Sequence, residues 1–235
     1  MIRWFIITVC IIWIAPVFAQ ESFDEKQTSV SNVRMTINNV GTFGNAFRGS
    51  YDVLGYSSAE FPANTGIEHL FEGGIWVGGK VNGSLIAVST AAYDQTAGYS
   101  AGRAGYEFTA EIGGQFIERS SLIDNPSYSV EAVSHQDFIG DFSDRNVLVP
   151  GTQIQISNHD NPMEIDIHME SYNWNYAFSD FMLICNYELT NTGNNTLNDV
   201  FIGMWSNEVV RNTNITPAGQ GGSASYDKAS NLLID

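Results

Sequence analysis

Four polar residues at every second position of the segment 163–170 have side chains that can act as acids, bases or metal ligands. They are Glu164, Asp166, His168 and Glu170. Alternate residues of a β-strand lie about 7 Å apart on one face, close to the carboxylate separation of an inverting glycosidase. Carboxylate oxygens also bind calcium, so Asp160, Glu164 and Asp166 are candidate ligands for that ion. The same alternation is typical of the solvated face of a half-buried strand, and this alternative stays open.

An aromatic row follows directly in the chain, again with its side chains at alternate positions. Its members are Tyr172, Trp174, Tyr176 and Phe178. If the row is exposed, Tyr172, Trp174 and Tyr176 form a platform on which sugar rings stack. If it is buried, it is ordinary core, which is the commoner place for large aromatic side chains. The sequence predicts one of these two roles and does not choose between them.

A third candidate is Ser100, which lies in the G-x-S-x-G match of residues 98–102. In α/β-hydrolases this motif lifts a serine hydroxyl on a sharp strand-to-helix turn, beside a histidine and an oxyanion hole. Here the preceding residues 93–97 do not form a buried-strand pattern, and the following residues 103–107 do not form a helical one. Histidines are available at positions 135, 159 and 168, but the missing context indicates a chance match.

The N-terminus has the three parts of a secretory signal peptide. Arg3 supplies a positive charge, residues 4–14 are an almost unbroken apolar run, and small or modest residues precede a cleavage point at Gln20. A membrane anchor needs about 20 apolar residues, and this run is shorter. We therefore expect residues 1–19 to be removed, with no membrane span in the mature protein.

Composition agrees with export. The chain has 10 Lys and Arg against 26 Asp and Glu, giving a formal net charge of −16. Such a surface repels phosphate backbones, so nucleic acid is disfavoured as a partner, whereas divalent cations are not. Of the two cysteines, Cys10 lies in the expected signal peptide, so Cys185 has no intrachain partner in the mature protein. Its apolar neighbours favour a buried, unreactive thiol.

The elements that must position these candidates are strands. Residues 75–88 form a hairpin pattern around Asn82-Gly83, a dipeptide that suits a two-residue turn. Residues 163–170 alternate without a fault, and further strands are predicted at 181–190 and 200–205. Weaker strands are predicted near 105–109, 115–119, 128–134 and 152–157. One short helix is predicted, with Ser134 as its cap and Phe138 and Phe142 on one face. The fold class that follows is an all-β, antiparallel β-sandwich with at most one short helix.

The expected organisation is a signal peptide (1–19), a flexible lead-in (20–38) and a β-sandwich region (39–235). The chain ends in the apolar run 232–234 with no turn after it. We therefore expect the sandwich region to continue in a longer protein.

Four blocks of sequence carry a resemblance to a known class of proteins. They are residues 33–44, 66–79, 172–174 together with 187–193, and 200–207. The chain resembles the N-terminal β-rich region of large secreted proteins of Bacteroidota-type bacteria. This resemblance implies that immunoglobulin-like or fibronectin-like repeats follow, with a C-terminal sorting domain for type IX secretion. It brings no catalytic residues with it.

The sequence thus supports three functional hypotheses. The leading one is a non-catalytic secreted or cell-surface module for scaffolding, adhesion or display, with an extracellular polysaccharide or a surface protein as partner. It predicts a packed aromatic row and no cleft with convergent polar groups. The second is a carbohydrate-binding or carbohydrate-active sandwich, with or without calcium as a cofactor. It predicts an exposed aromatic platform, or two carboxylates that face each other across a concave sheet. The third is a serine hydrolase, which requires a histidine within hydrogen-bond reach of Ser100.

Overall fold

Strands are the regular elements of this structure. The computed structural model describes residues 23–44, 56–91, 102, 105–111, 114–216, 225–227 and 232–234. The strands are β1 (Glu25–Gln27), β2 (Arg34–Asn38), β3 (Thr42–Gly44), β4 (Ala59–Glu60), β5 (Ile67–Val81), β6 (Leu85–Thr90), β7 (Thr109–Ala110), β8 (Ile117–Arg119), β9 (Gln136–Ser143), β10 (Ile165–Asn173), β11 (Leu183–Asn191), β12 (Leu197–Asn212), β13 (Ser225–Asp227) and β14 (Leu232–Ile234). Within the described ranges there is no helix that is long and apolar enough to cross a membrane. The predicted signal peptide (1–19) and Ser100 lie outside the described residues.

The larger sheet has seven antiparallel strands, and β5 is its centre. One edge of β5 pairs with β12 over most of its length. The other edge pairs in turn with β4, β3 and β6, and β2 and β1 extend the sheet beyond them. The strand β12 therefore forms one margin of this sheet.

The smaller sheet has five antiparallel strands, in the order β11, β10, β9 and β7, with β8 also paired to β9. The central strand β10 pairs with β9 on one side and with β11 on the other. The strand β11 forms a margin of this sheet, as β12 does in the larger one. Strands β13 and β14 form a separate two-stranded sheet.

An apolar layer fills the space between the two sheets. In β10 burial alternates residue by residue, and Ile165, Ile167 and Met169 face inward. They belong to one buried cluster with Ile75 and Val77 of β5. The alternation of polar and apolar residues thus produces two sheets that bury one face each. The predicted all-β, antiparallel sandwich is confirmed.

The predicted hairpin is confirmed as the β5–β6 pair, with a loop one residue longer than expected. Val81 pairs with Leu85, so the loop is residues 82–84. Asn82 and Gly83 both have positive φ angles, 51° and 77°, which these two residue types adopt at low cost. The side chain of Asn82 also accepts a hydrogen bond from the backbone nitrogen of Thr196 at 3.1 Å. The hairpin loop is thereby tied to the connection between β11 and β12.

The short helix predicted between Ser134 and Phe142 is wrong, because residues 136–143 form β9. The prediction rested on Phe138 and Phe142, whose spacing of four is about one helical turn. Four is also twice the period of a strand, so both rings reach the core equally well from β9. Asp137 accepts hydrogen bonds from the backbone nitrogens of Val133 and Ser134, at 2.7 and 2.8 Å. These bonds fix the turn before the strand instead of capping a helix.

Two other segments differ from the sequence-based predictions. The lead-in predicted over residues 20–38 contains β1 and β2, and Ile37 of β2 is buried in the main core. The weak strands predicted at 128–134 and 152–157 are instead turns with isolated bridges, Ser120 to Tyr128 and Leu148 to Gln155. Charge-rich or polar stretches with few apolar residues thus join a sheet where neighbouring strands supply the hydrogen-bond partners.

Phe142 is a fully buried core residue whose loss should destabilise the fold. Its ring meets Phe108 edge-on, with centroids 5.5 Å apart, and it lies against Gly41 of the β2–β3 turn. A Cβ atom at Gly41 would come within 2.7 Å of that ring, and the φ angle of +85° also favours glycine. We expect Phe142→Ala to lower the free energy of unfolding by about 3–5 kcal/mol, measured by urea denaturation. The exposed Phe178→Ala should change it by only about 0.5 kcal/mol, and equal losses would contradict this assignment.

Candidate functional site

The polar row of β10 lies on the outer face of the smaller sheet. The half-buried residues that alternate with the core residues of this strand are Asp166, His168, Glu170 and Tyr172. Asp141 of β9 and Glu188 of β11 both pair directly with His168. Directly opposed residues share a face of the sheet, so three strands bring acidic groups to the two sides of one histidine.

His168 links the acidic groups around it. Its Nδ1 atom lies 2.7 Å from Oδ1 of Asp141, and its Nε2 atom lies 3.5 Å from Oε1 of Glu170. Partial burial lowers the pKa of His168, but the hydrogen bonds and negative charges of Asp141 and Glu170 outweigh it, so the pKa lies above its ordinary value. His168 therefore keeps a positive charge to a higher pH than an isolated histidine.

Arg145 is the second cation on this face. Its Nη2 atom lies 2.7 Å from Oε1 of Glu111 and 3.2 Å from Oδ1 of Asp166. Partial burial raises the pKa of Asp166; the positive charge of Arg145 opposes this rise, and the negative charge of Glu111 adds to it. These groups line a groove of about 460 Å³ that also includes His168 and Glu188. The groove is polar and contains both hydrogen-bond donors and acceptors.

The aromatic row begins where the polar row ends. The hydroxyl of Tyr172 donates a hydrogen bond to Glu170. This bond is the main reason why the pKa of Tyr172 is raised to about 12, with burial adding to it. The ring of Trp174 follows, its centroid 6.2 Å from that of Tyr172. The outer face of β10 therefore passes from charged groups to half-buried aromatic rings without a break.

Tyr176 and Phe178 follow in the turn after β10 and are exposed. They are 50% and 74% exposed, and their rings stack with centroids 5.5 Å apart and planes 10° apart. The backbone beneath them is held on two sides. The Asn175 nitrogen donates to Nδ1 of His135 at 3.2 Å, and the Asn32 nitrogen donates to the carbonyl of Asp180 at 2.8 Å. The row is therefore a fixed, partly exposed surface and not part of the buried core.

The three residues predicted as metal ligands lie in different surroundings. Asp160 accepts a hydrogen bond from Gln155 at 3.3 Å. Glu164 precedes β10 with a positive φ of 58°, and its side chain lies against Gly193. Asp166 faces Arg145. Among the described residues, no group of three or more histidine, cysteine, aspartate or glutamate side chains is placed to hold a metal ion. Calcium binding stays a prediction of the sequence alone.

A smaller cavity of about 290 Å³ lies beside β6. Its polar lining includes Asn158, His159, Asp160 and the buried carboxyl group of Glu107. Burial raises the pKa of Glu107 to about 7, although backbone hydrogen bonds at Glu107, Gly105 and Thr90 act in the opposite direction. Glu107 therefore changes its charge near neutral pH.

Several residues of these sites have no signal in the sequence. Arg145 and Glu111 are distant in the chain and lie outside any motif. Asp141 lies in the segment that the aromatic spacing assigned to a helix, and His135 contacts the aromatic row only because the turn before β9 brings it there. Strand pairing, which an isolated sequence does not reveal, assembles this surface.

Comparison of the chain with protein-family models, with curated proteins and with solved structures finds no match. The assignment of a function therefore rests on the residues and their geometry.

Glu107 should make the stability of the fold depend on pH. Its raised pKa means that the folded state favours the neutral carboxyl group, so its stabilising effect is complete below about pH 4.5 and is lost as the pH rises through about 7. Between pH 5 and pH 8 we expect the wild-type protein to lose up to about 3 kcal/mol of unfolding free energy relative to Glu107→Gln. Urea denaturation at a series of pH values measures this difference. The exposed Glu188→Gln should keep the wild-type profile, and a parallel profile for Glu107→Gln would contradict the interpretation.

Proposed function

We propose that this protein is a non-catalytic module that works outside the cytoplasm and binds an extracellular polysaccharide on the outer face of its smaller sheet. Its role would be adhesion, scaffolding or display at the cell surface or after secretion. The observation that carries the proposal is the position of the aromatic row. Tyr176 and Phe178 are stacked and exposed, and they follow the polar outer row of β10 directly in the chain.

The chemistry of this face suits a sugar chain. A sugar ring presents an apolar C–H face, against which an aromatic ring packs, and hydroxyl groups at its edge that both donate and accept hydrogen bonds. The aromatic row supplies the first kind of contact. The carboxylates, Arg145 and His168 supply the second kind, since carboxylates accept and the two cations donate.

The charge of this face limits which classes of sugar it can bind. Five carboxylates lie on and around the groove, beside two basic groups. The carboxylates are Glu111, Asp141, Asp166, Glu170 and Glu188, and the basic groups are Arg145 and the titratable His168. An excess of negative charge disfavours acidic polysaccharides and phosphate-bearing polymers. Neutral sugars and sugars with an amino group are therefore the preferred ligands.

The bonds made by the carboxylates support a binding role over a catalytic one. Glu111 and Asp166 share Arg145, and Asp141 and Glu170 both contact His168. A glycosidase needs one carboxyl group kept as an acid and another free to act as a base or nucleophile. Carboxylates already paired with cations instead fix the shape and charge of a surface.

Export is part of the same proposal, and it predicts the N-terminus of the protein. The apolar run and the small residues before Gln20 favour cleavage there. We expect N-terminal sequencing of the protein recovered outside the cytoplasm to begin at Gln20. Intact Met1 on protein retained in the cytoplasm would contradict export.

The aromatic row should contribute a large part of the affinity for sugar. A glycan array probed with the purified protein, with and without calcium, should show saturable binding. We expect Tyr176→Ala and Trp174→Ala each to weaken it about ten-fold, because one aromatic contact contributes about 1–1.5 kcal/mol. The array arm without calcium tests the predicted cation at the same time.

Two exposed aromatic residues elsewhere provide matched controls. Tyr128 is 46% exposed, close to the value for Tyr176, and Trp76 is 44% exposed on the outer face of the other sheet. Tyr128→Ala and Trp76→Ala should leave binding unchanged. If no glycan binds, or if the controls weaken binding as much as the row variants, the proposed sugar surface is wrong.

A further inference from the structure

The apolar core layer extends onto β12, but nothing in the described part of the chain covers it there. Ile202 pairs with Val77 and Met204 pairs with Ile75. Directly paired residues share a face of the sheet, so Ile202 and Met204 point the same way as the buried Val77 and Ile75. Yet Ile202 is 60% exposed and Met204 is 52% exposed. The smaller sheet covers the inner face as far as β5 and leaves β12 uncovered.

In its central stretch, between the register shifts at residues 198–201 and 207–211, β12 also lacks the features that usually keep an edge strand from pairing. Such strands are commonly protected by charged residues, by proline or by short length. β12 has 16 residues, and the stretch Val200–Asn207 contains neither proline nor a charged residue. From Phe201 to Asn207 its pairing with β5 is uninterrupted. The outward edge therefore presents a regular, uncharged row of backbone groups in a chain of net charge −16.

The smaller sheet is open on the same side. Among the described strands, its marginal strand β11 pairs only with β10, and Leu183, Tyr187 and Leu189 on its inner face are only partly buried against the core. Residues 192–196 join β11 directly to β12, and five residues span at most about 18 Å. The end of β11 and the start of β12 are thus close together, one in each layer, and Leu189 of β11 and Leu197 of β12 pack against the same core.

We propose that this margin, formed by β11 and β12, is the interface of a homodimer in which β12 pairs with β12 of a second copy in antiparallel fashion. A twofold axis along the margin sets both layers of one copy against both layers of the other. A single added strand can pair with only one of the two open edges, whereas a second copy closes both sheets. The apolar surface around Ile202, Met204 and Tyr187 is then covered from the opposite side.

The size of the margin and the charge of the chain agree with a second copy of this chain as the partner. A strand of 16 residues is about 50 Å long and the sheets are about 10 Å apart. With its side chains the margin therefore approaches the roughly 800 Å² that each partner buries in a standard interface. Two chains of net charge −16 repel each other, but the uncharged centre of β12 lets them meet where this repulsion is smallest. The remaining repulsion is long-range and screened by salt.

The proposal does not depend on sugar binding, which uses the outer face of the smaller sheet.

Analytical ultracentrifugation of the purified protein tests the proposal. We expect a monomer–dimer equilibrium at micromolar concentrations that shifts toward dimer as salt is raised from about 0.01 to 0.15 M, because screening removes repulsion. Ile202→Lys should weaken dimerisation at least a hundred-fold by placing a charge at the centre of the margin. The matched variant Ile123→Lys, at a position that is 79% exposed in the turn after β8, should dimerise like the wild type, because β8 lies on the far side of the smaller sheet from β11.

Hydrogen exchange shows directly whether strands pair. The β12 amides that face away from β5 should become protected as the protein concentration rises, and Ile202→Lys should abolish this protection. Because Ile202 is largely exposed in the single chain, the circular dichroism and melting temperature of dilute Ile202→Lys should match those of the dilute wild type.

Three outcomes would overturn the proposal. The first is a monomer at all concentrations with unprotected β12 amides. The second is a dimer that Ile202→Lys and Ile123→Lys weaken equally, which would place the interface elsewhere. The third is protection of β12 only when a basic apolar peptide is added, with binding that weakens as salt rises, which would make an extended partner segment the occupant.

Discussion

The contact between β5 and β10 through the apolar layer is the constraint that orders the rest of this structure. Ile75 and Val77 on one strand and Ile165, Ile167 and Met169 on the other belong to one buried cluster. The only cysteine among the described residues, Cys185, is free, and burial raises the pKa of its thiol to about 11. Stability therefore depends on burying these side chains, with roughly 1.5–3 kcal/mol for each large one.

This layer determines where functional groups appear. Because successive side chains of a strand point to opposite faces, burying the odd-numbered residues of β10 places Asp166, His168, Glu170 and Tyr172 outside. Cross-strand pairing then brings Asp141 and Glu188 beside His168. Where the strand ends, the chain leaves the sheet while the aromatic spacing continues, so Tyr176 and Phe178 are on the surface. The polar row and the aromatic row are two consequences of one packed strand.

The same apolar layer extends to a margin of the sandwich that the described part of the chain does not cover. Its inward-facing apolar residues continue from β5 to β12, but the opposing sheet ends at β11. Leu197 at the start of β12 packs against the core, whereas Ile202 and Met204 further along are largely exposed. The chain has 26 acidic residues, but none of them lies in the central stretch 200–207 of β12. The proposed sugar-binding face and this margin are thus separate surfaces of one sandwich, the first polar and aromatic and the second apolar.

The sequence by itself determined the features that depend on local periodicity and turn chemistry. The alternation over 163–170 indicated which side chains of β10 are buried, Asn82-Gly83 located the hairpin, and the series of short apolar segments defined the antiparallel sandwich. Periodicity did not identify the type of element where one spacing fits both a helix and a strand. Phe138 and Phe142 are four residues apart, a spacing that suits a helical turn and a strand alike, and only the partners of β9 decide between them.

Tertiary structure alone decided which residues meet. Asp160, Glu164 and Asp166 are close in sequence but lie in different surroundings, whereas Arg145, Glu111 and Asp166 are brought together from distant segments. Whether the aromatic row is buried, and whether the edges of β11 and β12 are covered, depends on how far each sheet extends over the other. A chain's local pattern sets which way a side chain points, but what it points at is set by strands that pair across long sequence distances.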